Sequence, residues 1–236
     1  MVAASRGLEG EGGEAGATSR DDLVPGVDPE ALALDRGQAD VSDRDVPAAE
    51  VVQLQGELEG IQRIRGFDSP VLTGGGAGTI VEVRGSSQVE LRDLVFEAGA
   101  TCAGAIRLGE LVSCSGDTAE LNTTTTGSLA LDGVSITAVG SNDSTMAAVV
   151  LTGGSFELVD STIDQAEPNA ILAYDSGISC VDSDVMSYPD AGVQVYGTGW
   201  SFDSSGCTWG DDVLVYEGKT LWDGEGDVSC DASGCQ

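Results

Sequence analysis

Hydrophobic residues in this chain recur with a period of two inside segments of about two dozen residues, and the segments align with one another. AAVVLTGGSFELVDSTI (147–163), NAILAYDSGISCVDSDV (169–185) and AGVQVYGTGWSFDSSGC (191–207) show it most clearly. Leu151, Ala173 and Val195 fall at intervals of 22 residues, and Leu158, Cys180 and Phe202 repeat that interval seven positions later. Period-2 alternation marks strands with one face buried. A repeat of this length, with small or polar residues at its corners, predicts three short strands per turn of a solenoid. Each repeat then buries its apolar face only against its neighbours, and like strands stack in parallel into three sheets.

The same frame extends in both directions. VVQLQGELEGIQRIRG (51–66) alternates between glycine punctuation, and SPVLTGGGAGTIVEVRGSSQVELRDLVF (69–96) gives a complete turn. In that turn Val81, Val83, Val89, Leu91, Leu94 and Phe96 point inward, with corners at Gly85–Ser87 and Asp93. LNTTTTGSLALDGVSI (121–136) is the next copy, and AIRLGELVSC (105–114) between them reads either as an irregular coil or as an excursion. DDVLVYEG (211–218) begins one more coil, and residues 217–236 lose the pattern, as the cap of a solenoid does. Residues 1–49 are acidic, Gly- and Ala-rich and without sustained periodicity, which predicts a disordered leader or linker. The expected organisation is therefore a leader over 1–49 and an all-β solenoid domain of about six to seven coils over 50–236.

These coils resemble right-handed parallel β-helix proteins of the pectin-lyase-like kind, notably secreted bacterial repeat proteins, over about residues 50–222. The resemblance implies the fold and a groove along the outer face of the first sheet. It implies no single activity, because that fold carries lyases, hydrolases, esterases, adhesins and inert surface proteins.

Charge narrows the choice of partner. The formal net charge is −30 with no histidine, all nine arginines lie at or before Arg107, and beyond it Lys219 is the one cation against twenty-one carboxylates. Such a field repels nucleic acid, anionic lipid and polyuronate surfaces, and leaves cations, neutral glycans or a basic protein as partners. The six cysteines, 102, 114, 180, 207, 230 and 235, include no CxxC pair. Disulfides Cys102–Cys114, Cys180–Cys207 and Cys230–Cys235 are the simplest pairing, with buried free thiols the alternative. Oxidised cysteines imply a secreted or cell-surface protein, although the first thirty residues hold no signal-peptide core, and no stretch is long and apolar enough to span a membrane.

Candidate chemistry lies in two places. With Val149/Leu151, Ile171/Ala173, Val193/Val195 and Val213/Val215 inward, the outward stripe of the first sheet is Val150, Leu172, Gln194 and Leu214, then Thr152, Tyr174, Tyr196 and Tyr216. The three tyrosines would form a ladder, with Asp175, Asp212 and Glu217 as nearby acceptors: either a strip for a glycan or surface protein, or rings that stabilise the sheet. Asp93, Asp160 and Asp182 share a corner position, with Gly133 and Ser204 in the other coils. Asp160 and Asp182 on consecutive turns are a candidate Ca²⁺ pair, and turn geometry is the alternative, because aspartate tolerates the left-handed conformation.

Catalytic signatures are sparse. Pectate lyases pair calcium-binding aspartates with a basic residue; here Arg65, Arg84, Arg92 and Arg107 lie early in the chain and Lys219 in the cap. Of the polygalacturonase motifs, only Asp211–Asp212 after Gly210 is present. Asp190 and Asp212 are a conceivable hydrolytic carboxylate pair. The sequence thus favours a non-catalytic binding module without cofactor, with a carbohydrate-active enzyme, intact or degenerate, as the alternative and a structural spacer as a third reading.

Overall fold

The computed structural model describes residues 42–46, 56–58, 61–67, 70–73, 80–97, 104–115, 118–122, 125–139, 147–166, 169–186, 188, 190–210 and 212–236, all within the compact unit Leu34–Gln236. They form a parallel β-helix with three walls. The first wall stacks Gly56–Leu58, Val81–Val83, Ile106–Leu108, residues 147–152, Asn169–Tyr174, Ala191–Tyr196 and Leu214–Tyr216. The second stacks Ile61–Gly66, Gln88–Arg92, Thr125–Asp132, residues 155–159, Gly177–Val181 and Ser201–Ser205. The third holds Val71–Thr73, Val95–Glu97, Ser135–Val139, Thr162–Ala166, Asp184–Val185 and Thr208–Trp209. Its six strands mark about five full turns, fewer than the six or seven that the sequence copies suggest.

Alternation places one apolar column inside each wall, and the columns fuse into a single core. Val89, Leu129, Phe156, Ile178 and Phe202 share a register position on the second wall, as do Leu91, Leu131 and Leu158. The third wall contributes Leu72, Phe96, Ile136, Ile163, Val185 and Trp209, and all of these side chains are buried. Each fully buried side chain of this size contributes about 1.5–3 kcal/mol relative to exposure, so a rung is held mainly by its contacts above and below.

The corner between the second and third walls explains its own composition. Asp93, Gly133, Asp160, Asp182 and Gly206 all have φ between 45° and 66°, a left-handed conformation that favours glycine and aspartate. The residue after each turns inward, and where it is serine it satisfies the rung below. Val134 N–H donates to Ser161 Oγ at 2.9 Å and Ser161 N–H to Ser183 Oγ at 3.0 Å.

Several expectations change at this level. Ser42–Val46, placed in the leader by its composition, is a strand parallel to Ile61–Gly66; residues 1–41 lie outside the described residues. Segment 105–114 is both things that the sequence left open. Ile106–Leu108 is a strand of the first wall, and Glu110–Ser115 turns away to pair antiparallel with Thr118–Asn122. The aspartate corner continues into Gly206, not Ser204. Ser204 points inward opposite Cys180 and accepts a hydrogen bond from Trp209 Nε1 at 3.0 Å. The shift arises because two residues, Asp175 and Ser176, link Tyr174 to Gly177, whereas four, 197–200, link Tyr196 to Ser201. Trp200 fills the extra interior space and is buried.

The far end of the core closes on Phe202, Trp209 and Trp222, whose ring centroids lie 5.6 to 6.3 Å apart. Lys219–Trp222 pairs antiparallel with Leu214–Tyr216, and Val228–Asp231 antiparallel with Ser201–Ser205. Disulfides join Cys180 to Cys207 and Cys230 to Cys235. Cys102 lies outside the described residues, and with it the pairing to Cys114.

Candidate binding face

The outer face of the first wall carries two rows. In the first, Glu82, Arg107, Val150, Leu172, Gln194 and Val215 follow one another in register. In the second, Thr152, Tyr174 and Tyr196 do so. Sequence alternation placed Val150, Thr152, Leu172, Tyr174, Gln194 and Tyr196 on this face, and the register keeps these six there, but much of the face is closed to water.

Arg107 is buried and bonds to Glu82 at 2.7 Å, while Arg84 meets the same carboxylate at 3.0 Å. Burial lowers the Arg107 pKa, and the negative charge of Glu82 opposes that shift. Val150 and Leu172 are buried in a small cluster of their own with Ala147, against which Tyr174 packs. Gly104 lies against this cluster: a Cβ there would approach within 3.1 Å of Val150 Cγ2. Apolar residues on an outer face are thus partly accounted for by local cover.

The face opens at Tyr174 and Gln194, which are half-buried, and at Tyr196, which is 37% exposed. The two tyrosine rings stack with centroids 4.9 Å apart and planes 14° apart, as the rung spacing of a parallel sheet allows. Burial raises both phenol pKa values, and for Tyr174 the neighbouring Tyr196 adds to the effect. Both side chains are therefore neutral hydroxyls around pH 7.

Tyr216 does not continue the ladder. Its strand is shifted by one residue, so Leu214 faces Val193 and Tyr216 faces Val195, an inward position. Leu214 fills the interior, Val215 takes the outward place, and the Tyr216 ring packs against the core at 5.4 Å from Trp200. The stretch Val213–Tyr216 is apolar in both phases, so alternation alone does not choose between them; filling the interior does.

The acidic candidates divide. Asp175 has φ 47°, and its Oδ1 accepts hydrogen bonds from Thr198 N–H at 2.9 Å and Gly199 N–H at 2.8 Å. It therefore braces the four-residue corner of the next coil. Asp212 (φ 52°), before the strand Leu214–Tyr216, accepts from Thr220 Oγ1 at 3.3 Å, and Glu217 (φ 49°) follows that strand; both are exposed. Asp190 and Asp212 precede neighbouring first-wall strands and are also exposed. Asp160 and Asp182 sit on consecutive rungs with φ 45° and 47°, which accounts for aspartate there without an ion. Among the described residues no three or more His, Cys, Asp or Glu side chains lie together as a metal site.

Two features escaped the sequence. One is the buried Glu82–Arg107 pair, whose signal, opposite charges at outward positions, was hidden while segment 105–114 had no assigned rung. The other is a cleft of about 360 Å³ across the second wall and the antiparallel strand that extends it, lined in part by Ser179, Asp203, Ser205, Asp227 and Gln236. Nothing in the repeats predicts that strand's return. Among the described residues no helix is long and apolar enough to cross a membrane.

No family model, curated protein or solved structure matches the chain.

Proposed function

We propose that the chain is a non-catalytic β-helix module, of the pectin-lyase-like kind and working outside the cytosol, that offers the outer face of its first wall to a glycan or protein partner. The stacked Tyr174–Tyr196 pair carries this reading: it is an amphipathic aromatic surface that the fold holds rigid and leaves partly open to solvent. Rigid aromatic side chains bind at low entropic cost, because little freedom is left to lose. The disulfides Cys180–Cys207 and Cys230–Cys235 support an oxidising compartment.

The test replaces Tyr174 and Tyr196 together by serine, leaving Tyr216 because it packs on the core. Retention on a panel of immobilised neutral and acidic polysaccharides and surface-protein extracts should be lost while the melting curve stays cooperative. Equal retention by both proteins would sink the site. Release of unsaturated sugars or new reducing ends from the panel would replace this reading with the enzymatic one, and binding to nothing would leave a spacer.

A further inference from the structure

The one-residue shift at Tyr216 changes what the tyrosine face can recognise. Because Tyr216 sits opposite Val195, Tyr196 is stacked on one side only, by Tyr174. Among the described residues no third ring meets it, and it remains 37% exposed. Glu217 follows Tyr216 in the turn that leaves the next strand, one step past the residue opposite Val195, whereas Asp212 lies before that strand, near its other end; both are exposed.

The surrounding charge is one-sided. Arginines 63, 65, 84, 92 and 107 lie in earlier coils, each ion-paired with a carboxylate. The nearest cation by register is Lys219, exposed on the strand beyond, opposite Tyr216. A neutral sugar would gain only from the single ring face. An ammonium or guanidinium gains from the ring quadrupole and from the Glu217 carboxylate in the adjoining turn.

We propose that the partner held at Tyr196 is a basic protein segment, which lays an arginine or lysine side chain on the open ring face while Glu217 and Asp212 pair with flanking cations. This rests on the reading of the first wall as the binding face.

The test uses the full chain and three probes: a labelled hexaarginine peptide, its hexacitrulline counterpart of similar shape without charge, and maltohexaose. Binding is followed by fluorescence anisotropy for the peptides and by calorimetry for the sugar. Hexaarginine should bind, more weakly as salt rises, and hexacitrulline should not. Tyr196→Leu should lower the affinity about two- to fivefold, the range of an exposed cation–π contact, and Glu217→Gln should lower it as well. Tyr196→Phe, which keeps the ring, should bind like the native chain, and this separates loss of the π face from any change in folding.

Glu157→Gln removes the same charge from the exposed face of the second wall and should leave binding unchanged. If Glu157→Gln weakens binding as much as Glu217→Gln and Tyr196→Leu has no effect, hexaarginine senses only the diffuse field and the inference is overturned. Maltohexaose binding that depends on Tyr196, without hexaarginine binding, overturns it too but leaves the binding face intact. If no probe responds to Tyr196 and the double serine variant keeps its panel retention, the binding face itself is refuted.

Discussion

Replacing Asp175 tests the account of how the chain shifts register at the four-residue corner 197–200. The residue does two separate jobs: it adopts φ 47°, and its Oδ1 accepts the N–H groups of Thr198 and Gly199. Asp175→Ala removes both. Two lost hydrogen bonds cost about 0.5–1.5 kcal/mol each, with solvent replacing part of them at this exposed site, and the left-handed conformation costs alanine about 1–2 kcal/mol. The expected loss is about 2–3 kcal/mol, which for a domain of this size lowers Tm by about 5–10 °C. Asp175→Gly restores the conformation but not the bonds and should be milder by about 1 kcal/mol. Asp175→Asn keeps an acceptor and a side chain that tolerates positive φ, and should be mildest. Calorimetry and urea unfolding of the three variants measure the series. Alanine no more damaging than glycine would refute the conformational half of the reasoning, and three native-like variants would refute all of it.

The disulfide Cys180–Cys207, with a sequence separation of 27, should contribute about 3–4 kcal/mol through loop-closure entropy, against about 2 kcal/mol for Cys230–Cys235 across five residues. Cys207→Ser should therefore melt well below Cys235→Ser, and the reverse order would contradict the entropic argument. The raised phenol pKa values of Tyr174 and Tyr196 mean that folding favours the neutral rings. Their contribution to stability is fully present below the ordinary phenol value of about 10 and is lost as pH climbs through the raised folded values. Absorbance titration at alkaline pH, compared with the Tyr174→Phe and Tyr196→Phe variants, should show that Tyr174 and Tyr196 ionise late. Ionisation of these two at the ordinary value would refute it.

The three-walled helix was legible because inward positions on every wall are apolar at period two, as with Val89 and Leu91 or Leu129 and Leu131. Two register errors share a physical origin. The spacing that aligned Phe202 with Cys180 assumed equal corners, and two extra residues at 197–200 set Phe202 opposite Ile178 instead. The expected third tyrosine rung assumed one phase for Val213–Tyr216, where both phases are apolar and the interior chose Leu214. The cover over Val150 and Leu172 could not be read locally, because solvent exclusion there depends on chain that is distant in sequence. Asp175 was legible as polar and near the tyrosines; that its carboxylate braces a backbone corner is a fact of geometry alone.

The two antiparallel strands at the far end have a consequence for the length of the helix. They use the peptide groups on which a further coil of the first and second walls would have to build, so another copy of the chain finds no matching edge on those walls, and polymerisation in that direction is blocked. Lengthening must come from within. A duplicated 22-residue unit inserted among the central coils would add one rung of about 4.8 Å and carry the capped end outward unchanged.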